Sequence, residues 1–163
     1  MIVKSSFEHD SEFKHWAGFD SIADLTCRPI SDEGQRVVPD GKVNRLSYIN
    51  EDLKLVGKFS WFDYNSRNRS AEFGYMINPS LRKKGYARKM LIEAFNNVFS
   101  NTNLNKLYCQ TAEFNEASVK LLKSLKMNLD GRLRQHHEKD GKLYDDLVFS
   151  ILRQEWETLS HLR

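Results

Sequence analysis

The 163-residue sequence predicts a mixed α/β sheet with an antiparallel front and a helix-linked middle. Three observations predict it. Residues 45–50, 53–64 and 70–77 are rich in β-branched and aromatic side chains and are separated by polar turns. From Gly85 the apolar period becomes that of a helix. A strand, a second helix and a hairpin then complete the pattern.

The elements follow in order. Residues 8–26 carry short helical character around Phe13, Trp16, Ala17, Ile22 and Leu25, interrupted by Gly18, which predicts two short helices. Pro39-Asp40-Gly41 is a turn signal, after which the three strands form a meander. Ala87, Met90, Leu91, Ala94, Phe95, Val98 and Phe99 then repeat on one helical stripe. Lys106 to Ala112 reads as a strand, and Asn115 to Leu125 as a helix with Asn115 at its N-cap. Asp140-Gly141 marks a two-residue hairpin whose second strand turns Leu143, Leu147, Phe149 and Ile151 to one side. A short polar tail is expected from Gln154 to Arg163.

Length and composition confine this pattern to one domain over residues 1–163, with 40% apolar residues for a single core. A 29% charged and 12% aromatic content excludes a disordered tail. No apolar run approaches the roughly 18 residues of a membrane span, and MIVKSSFEHD has no signal-peptide core, so the expected compartment is cytoplasmic, with no membrane partner. Cys27 and Cys109 stand far apart without a CxxC or Cys/His cluster, so neither a disulfide framework nor a metal site is expected.

The net charge of +3 conceals an asymmetry: residues 1–52 hold six Lys/Arg and ten Asp/Glu, and the rest hold nineteen and twelve. Arg82, Lys83, Lys84, Arg88 and Lys89 crowd around Gly85 at the start of the strongest helix. Free amides and the positive dipole end of a helix N-terminus bind phosphate, and a glycine lets the backbone approach closely. The plain alternative is a helix start with solvated lysines. Neither GxxxxGK[ST] nor GxGxxG after a strand is present, which takes most of the weight from the kinase, GTPase and Rossmann readings.

The segment Arg82-Lys83-Lys84-Gly85-Tyr86-Ala87, after a strand ending in Ile77-Asn78-Pro79, matches the R/Q-x-x-G-x-G/A loop of the GCN5-related N-acetyltransferases. With Asn115-x-x-Ser118, the run from Gly131 to Asp146 and the closing Ile151 to Trp156, the chain resembles the RimJ/RimL-like branch of that family over about residues 45–157. The resemblance implies a GNAT-like, mostly antiparallel sheet flanked by helices and splayed between its fourth and fifth strands. The acetyl-CoA pantetheine arm would lie in that opening. Main-chain groups of Tyr75, Met76 and Ile77 would pair with the arm as an added strand does, and Arg82, Lys83, Lys84, Gly85, Tyr86, Ala87 and Arg88 would hold the pyrophosphate. Asn115 reads as a cofactor ligand, an N-cap or both.

Direct acyl transfer needs a neutral amine, a donor for the oxyanion and a proton for the departing thiolate. The tyrosine that many family members carry seven positions beyond the asparagine is replaced here by Leu122. The family alternative is a serine at Ser118, which reads equally as a small helix residue near the sheet. For the base, Glu72 comes first, beside the implied amine site, with an exposed strand carboxylate as its plain reading. Asp145 comes second because it interrupts an apolar face; its plain reading is an ion pair with an arginine. His136 and His137, adjacent in a strand, point to opposite faces, do not easily share a metal and read as substrate-wall or surface residues.

The expected function is therefore acetyl transfer from acetyl-CoA to a primary amine in a ternary complex, by a monomer or homodimer. The acceptor is a small-molecule amine (amino sugar, polyamine or antibiotic) or a protein N-terminus. The alternative is a non-catalytic acyl-CoA sensor of the same fold. Nucleic-acid binding ranks below both, because the basic cluster lacks interleaved aromatics beyond Tyr86.

Overall fold

The computed structural model describes residues 1–6, 9, 11, 12 and 43–159. The two short helices expected over residues 8–26 fall almost wholly outside these residues, as do Cys27 and the Pro39-Asp40-Gly41 turn. The described chain forms strands β1 (Ile2–Lys4), β2 (Asn44–Asn50), β3 (Leu55–Asn65) and β4 (Ser70–Ile77), a single 3-10 turn (Pro79–Leu81), and helix α1 (Tyr86–Asn101). It continues through β5 (Lys106–Ala112), α2 (Glu116–Ser124), β6 (Asn128–Lys139), β7 (Lys142–Leu152) and α3 (Arg153–Thr158). Among the described residues no helix is long and apolar enough to cross a membrane.

The strands make one seven-stranded sheet in the order β1-β2-β3-β4-β5-β7-β6. Every neighbouring pair is antiparallel except β4 and β5, which are parallel and joined through α1. A parallel pair requires such a crossover, because a tight hairpin turn reverses the chain. The opposite case is Asp140-Gly141, where both residues take positive φ, 53° and 75°, and turn β6 into β7 as the hairpin signal predicts.

Helix α1 turns Met90, Leu91, Ala94, Phe95, Val98 and Phe99 into the core. Phe95 meets Phe73 at 5.1 Å, Phe59 at 6.0 Å and Trp156 at 5.3 Å between ring centroids. Full burial of one such ring contributes about 2–3 kcal/mol. The helix comes close to β3 at Gly57, where an added Cβ would collide with the Met76 carbonyl and stand 2.9 Å from Met90 Sδ. A side chain at position 57 therefore pushes β4 and α1 away from β3.

Two elements depart from the sequence expectation. The three-residue edge strand β1 is too short for its alternation to show in sequence. The polar tail expected from Gln154 begins instead within α3, whose Trp156 is 1% exposed and donates its indole N–H to Asn96 Oδ1 at 3.0 Å. One buried aromatic in a six-residue helix leaves no periodic stripe.

Arg153, at the start of α3, closes the base of the sheet. Its guanidinium donates to Phe99 O (2.6 Å), Thr102 O (2.8 Å) and Leu104 O (2.8 Å), satisfying carbonyls at and beyond the C-terminal end of α1. Its amide donates to Asn105 O at 2.7 Å. Removing the side chain leaves these acceptors without their charged donor, so Arg153→Ala is expected to lower unfolding free energy by about 2–3 kcal/mol in denaturant titration. A change below about 0.5 kcal/mol would show the staple to be ornamental.

Candidate active site

Strands β4 and β5 share only three register pairs: Ser70 with Lys106, Ala71 with Leu107 and Glu72 with Tyr108. Beyond them β4 continues to Ile77 paired only with β3, and β5 continues to Ala112 paired only with β7. The sheet therefore opens at its middle, as the resemblance implies. The Asn78 amide donates to Val56 O at 2.9 Å, which fixes the parity of the β3–β4 ladder. In an antiparallel ladder alternate residues turn both main-chain groups to the partner. Met76 and Gly74 thus bond β3, and Phe73, Tyr75 and Ile77 turn their main-chain groups toward the gap. Tyr75 and Ile77 face the gap; Met76, expected beside them, is corrected, since its N–H and C=O are directed at Lys58.

Past the end of β4 the chain makes the 3-10 turn and reaches the basic loop. Asn78 Oδ1 accepts from the Ser80 amide at 3.0 Å, and Asn78 Nδ2 donates to Leu55 O at 2.9 Å, anchoring the turn to β3. Gly85 is the N-cap of α1 with φ of 79°, in the left-handed region that a side chain disfavours. No side chain caps this end, and its first turn holds no acidic residue. The first amides of Tyr86, Ala87 and Arg88 therefore keep the positive end of the helix free of a protein carboxylate. Arg82 Nε donates to Ile77 O at 3.4 Å, Lys84 Nζ to Ser80 O at 3.1 Å, and Lys83 takes a positive φ of 59° in the exposed turn. Lys89 lies 5.9 Å over the Tyr86 ring.

Across the gap, Asn115 caps α2 by accepting from the Ser118 amide at 3.2 Å, which realises its N-cap reading. Ser118 Oγ lies 2.7 Å from the Tyr75 hydroxyl, 43 residues away in sequence. Leu122, on the same helix, is fully buried in the core. Cys109 is buried as well, consistent with a structural thiol.

Glu72 occupies the last rung before the strands part and is 3% exposed, so the exposed-carboxylate reading is overturned. Strand alternation places it on the face opposite Phe73 and Tyr75. The registers carry Tyr108, Ser150 and Asp146 onto the Glu72 face. Buried Asp146 lies 3.3 Å from His137 Nδ1, and the His137 ring meets Phe114 at 5.2 Å, with Tyr144 at 4.7 Å from the same phenyl. Of this wall beyond the end of β5 the sequence marks only His137, as a substrate-wall or surface residue, and does not single out Phe114, Tyr144 or Asp146. Its residues come from a loop and two strands, and only the alternation of Tyr144 with Asp146 hints at a shared face.

Asp145 takes its plain reading, on the face opposite Asp146. Its carboxylate accepts from Arg132 at 2.8 Å and from the Gln135 amide at 2.9 Å, and Arg132 also reaches Glu113 at 2.9 Å. The Arg132 bond first, and then the Gln135 amide, hold the Asp145 carboxyl below its ordinary value. This fastens the hairpin to the end of β5. Among the described residues no group of three or more His, Cys, Asp or Glu is placed to hold a metal.

An opening beside a strand that β5 leaves uncovered past Glu72, leading to an uncapped basic helix end, suits an extended amide-bearing arm that ends in phosphates. Acetyl-CoA has that chemistry, and the donors present fit it. The acetyltransferase (GNAT) domain model matches residues 10–128, and the chain belongs to that family. It is 30% identical over 118 residues to the uncharacterized N-acetyltransferase p20 of Bacillus licheniformis, covering 72% of this chain and 66% of that one. It is 28% identical over 143 residues to the spermidine N(1)-acetyltransferase of Vibrio cholerae, covering 86% and 77%. A crystal structure of mutant forms of the spermidine/spermine N-acetyltransferase of Vibrio cholerae has the same fold, with a TM-score of 0.77 at 21% identity over 98% of this chain and 99% of that one. A dodecameric structure of the spermidine N-acetyltransferase of Vibrio cholerae gives a TM-score of 0.69 at 27% identity over 74% and 71%.

Two predictions follow from this geometry. Gly85→Glu puts a carboxylate in the phosphate loop and a side chain at positive φ, and is expected to weaken acetyl-CoA binding at least about 100-fold by calorimetry; unchanged affinity would remove the loop from the site. Asp145 ionises more readily folded than unfolded, so its stabilisation is complete above about pH 4 and is lost as pH falls through its lower native value. Arg132→Ala is therefore expected to flatten the loss of melting temperature below about pH 4, and an unchanged acid limb would show that the pair contributes nothing there.

Proposed function

We propose that this protein transfers acetyl from acetyl-CoA to a primary amine by direct attack in a ternary complex. The observation that carries the reading is the gap between β4 and β5, edged by the main chain of Tyr75 and Ile77 and ending at the basic Gly85 loop. The pantetheine amides pair with that edge. The pyrophosphate sits at the amides of Gly85 to Arg88, with Arg82, Lys83, Lys84 and Arg88 supplying charge and Asn115 lying across the gap. Glu72, buried at the vertex, takes the proton of the acceptor amine directly or through a water. Ser118 lies on the other side, where the thiolate departs. Asp145 supports the wall as an ion pair and is not retained as the base.

The acceptor is placed on the Glu72 face. The acidic front of the sequence and the buried Asp146 favour a cationic amine. Similarity to a spermidine N(1)-acetyltransferase puts polyamines first among small amines. The RimJ/RimL-like pattern keeps a protein N-terminus as the second acceptor class. The protein is proposed to work as a single cytoplasmic domain. Monomer or homodimer is the working assembly, and the dodecameric relative makes the mass in solution the measurement that decides it.

The test is a thermal shift with acetyl-CoA, CoA and ATP, followed by thiol release over polyamines, amino sugars and N-terminal peptides. A ligand that binds only the folded state raises its melting temperature. Shifts with both CoA species and none with ATP, with thiol release on at least one amine, are expected. Glu72→Gln is expected to lower kcat by about 100-fold without loosening acetyl-CoA. Cofactor binding without turnover on any amine would establish the sensor instead.

A further inference from the structure

The proton that leaves with the thiol needs a source, and Ser118 alone is a poor one. An aliphatic hydroxyl gives a hydrogen bond, but it is far too weak an acid to surrender its proton to a thiolate. A phenol ionises near 10 and a thiol near 8.5, so a phenol is close to matched to this task. The Tyr75 hydroxyl lies 2.7 Å from Ser118 Oγ. Tyr75 stands on the open edge of β4, three residues past the last rung shared with β5, and Ser118 stands in the first turn of α2 on the other side of the gap. The pair therefore spans the opening into which an arm pairing with β4 must pass. It lies on the Phe73 face of the sheet, and Glu72 lies on the opposite face at the vertex.

Resting on the acetyl-transfer reading above, we propose that Tyr75 is the catalytic acid of this chain and that Ser118 is its positioning residue. The amine nitrogen bonds the acetyl carbon as the carbon–sulfur bond breaks, and the nitrogen loses its proton on the Glu72 side. The sulfur keeps the electron pair of the broken bond and takes the Tyr75 phenolic proton. Ser118 Oγ–H then donates to the phenolate, which regains a proton from water before the next turnover. The same residue thus holds the arm through its main chain and discharges the thiol through its side chain.

The experiment compares wild type, Tyr75→Phe and Ser118→Ala for acetyl-CoA and CoA affinity by calorimetry, and for kcat and KM by thiol release across pH. Tyr75→Phe removes one oxygen atom, keeps the ring on Phe73 and leaves the main-chain edge in place. Its affinity for CoA, expected within about threefold of wild type, also certifies that it is folded. Its kcat is expected to fall by about 100-fold, at the lower end of general-acid effects, with KM little changed. If Tyr75 is the acid, wild-type kcat falls at high pH as a phenol ionises, and Tyr75→Phe is expected to lose that limb. Ser118→Ala is expected to keep that limb and move it to higher pH, because the phenolate loses its donor.

Turnover of Tyr75→Phe within about twofold of wild type would overturn the inference while leaving the acetyl-transfer reading intact. A drop in kcat with the basic limb unchanged would overturn it as well, assigning the hydroxyl a structural role. Wild-type protein that binds no CoA would overturn the reading of the gap itself, and this inference with it.

Discussion

The brevity of the β4–β5 ladder governs this molecule. Each of the two strands is paired on its outer side, β4 with β3 except at a bulge opposite Ala71, and β5 with β7 throughout. They are therefore edges of two firm sub-sheets, joined by three register pairs and by Arg69 O, which accepts from the Asn105 and Lys106 amides at 2.7 and 3.1 Å. Below the junction, α1 and Arg153 tie the halves together through the Phe95 cluster and the Phe99, Thr102 and Leu104 carbonyls. Closure at one end and freedom at the other make an opening of defined place. The loop, the vertex carboxylate and the Tyr75–Ser118 pair all take their positions from it.

Two kinds of electrostatics meet there and stay apart. At the outer end, exposed basic side chains and uncapped amides face solvent, where salt screens their charge. At the vertex, Glu72 is nearly free of solvent, and a carboxylate withdrawn from water is sensitive to any cation brought beside it. Between them lies the neutral, amide-rich edge of β4. A ligand that is phosphate at one end, amide along its length and acyl at the other matches that order.

Much of this was legible in the sequence because it is written in local periods. The strand limits at 70–77 and 106–112, the stripe of α1, the Asn115 cap and the Asp140-Gly141 turn each depend on residues within a few positions of one another. What escaped depends on long-range register. Nothing near Tyr75 reveals that its hydroxyl meets a serine 43 residues on, and the parity that turns Met76 away from the gap is set by the Asn78–Val56 bond. Asp145 and Asp146 are adjacent and chemically identical. The sheet sends one to Arg132 on the outside and the other inward beside His137, a choice settled by tertiary pairing alone. Trp156 shows the same limit, since a lone aromatic in a polar segment announces neither a helix nor a core contact.

Among the described residues the sheet also has two outer edges. Unpaired strand edges are templates on which other chains polymerise. At one border β1 offers three residues, too few to seed an extended ladder. At the other, β6 carries Asp130, Arg132, Arg134 and Glu138 and breaks register twice, between Leu129 and Gly131 and between Leu133 and His137. The periphery is thus blunted by shortness, charge and bulges. The side of β4 that β5 does not cover past Glu72 is turned inward, between two halves of one sheet. Such an arrangement separates recognition from self-association: the stretch of β4 proposed to take an added strand lies inside the described sheet and not on its rim.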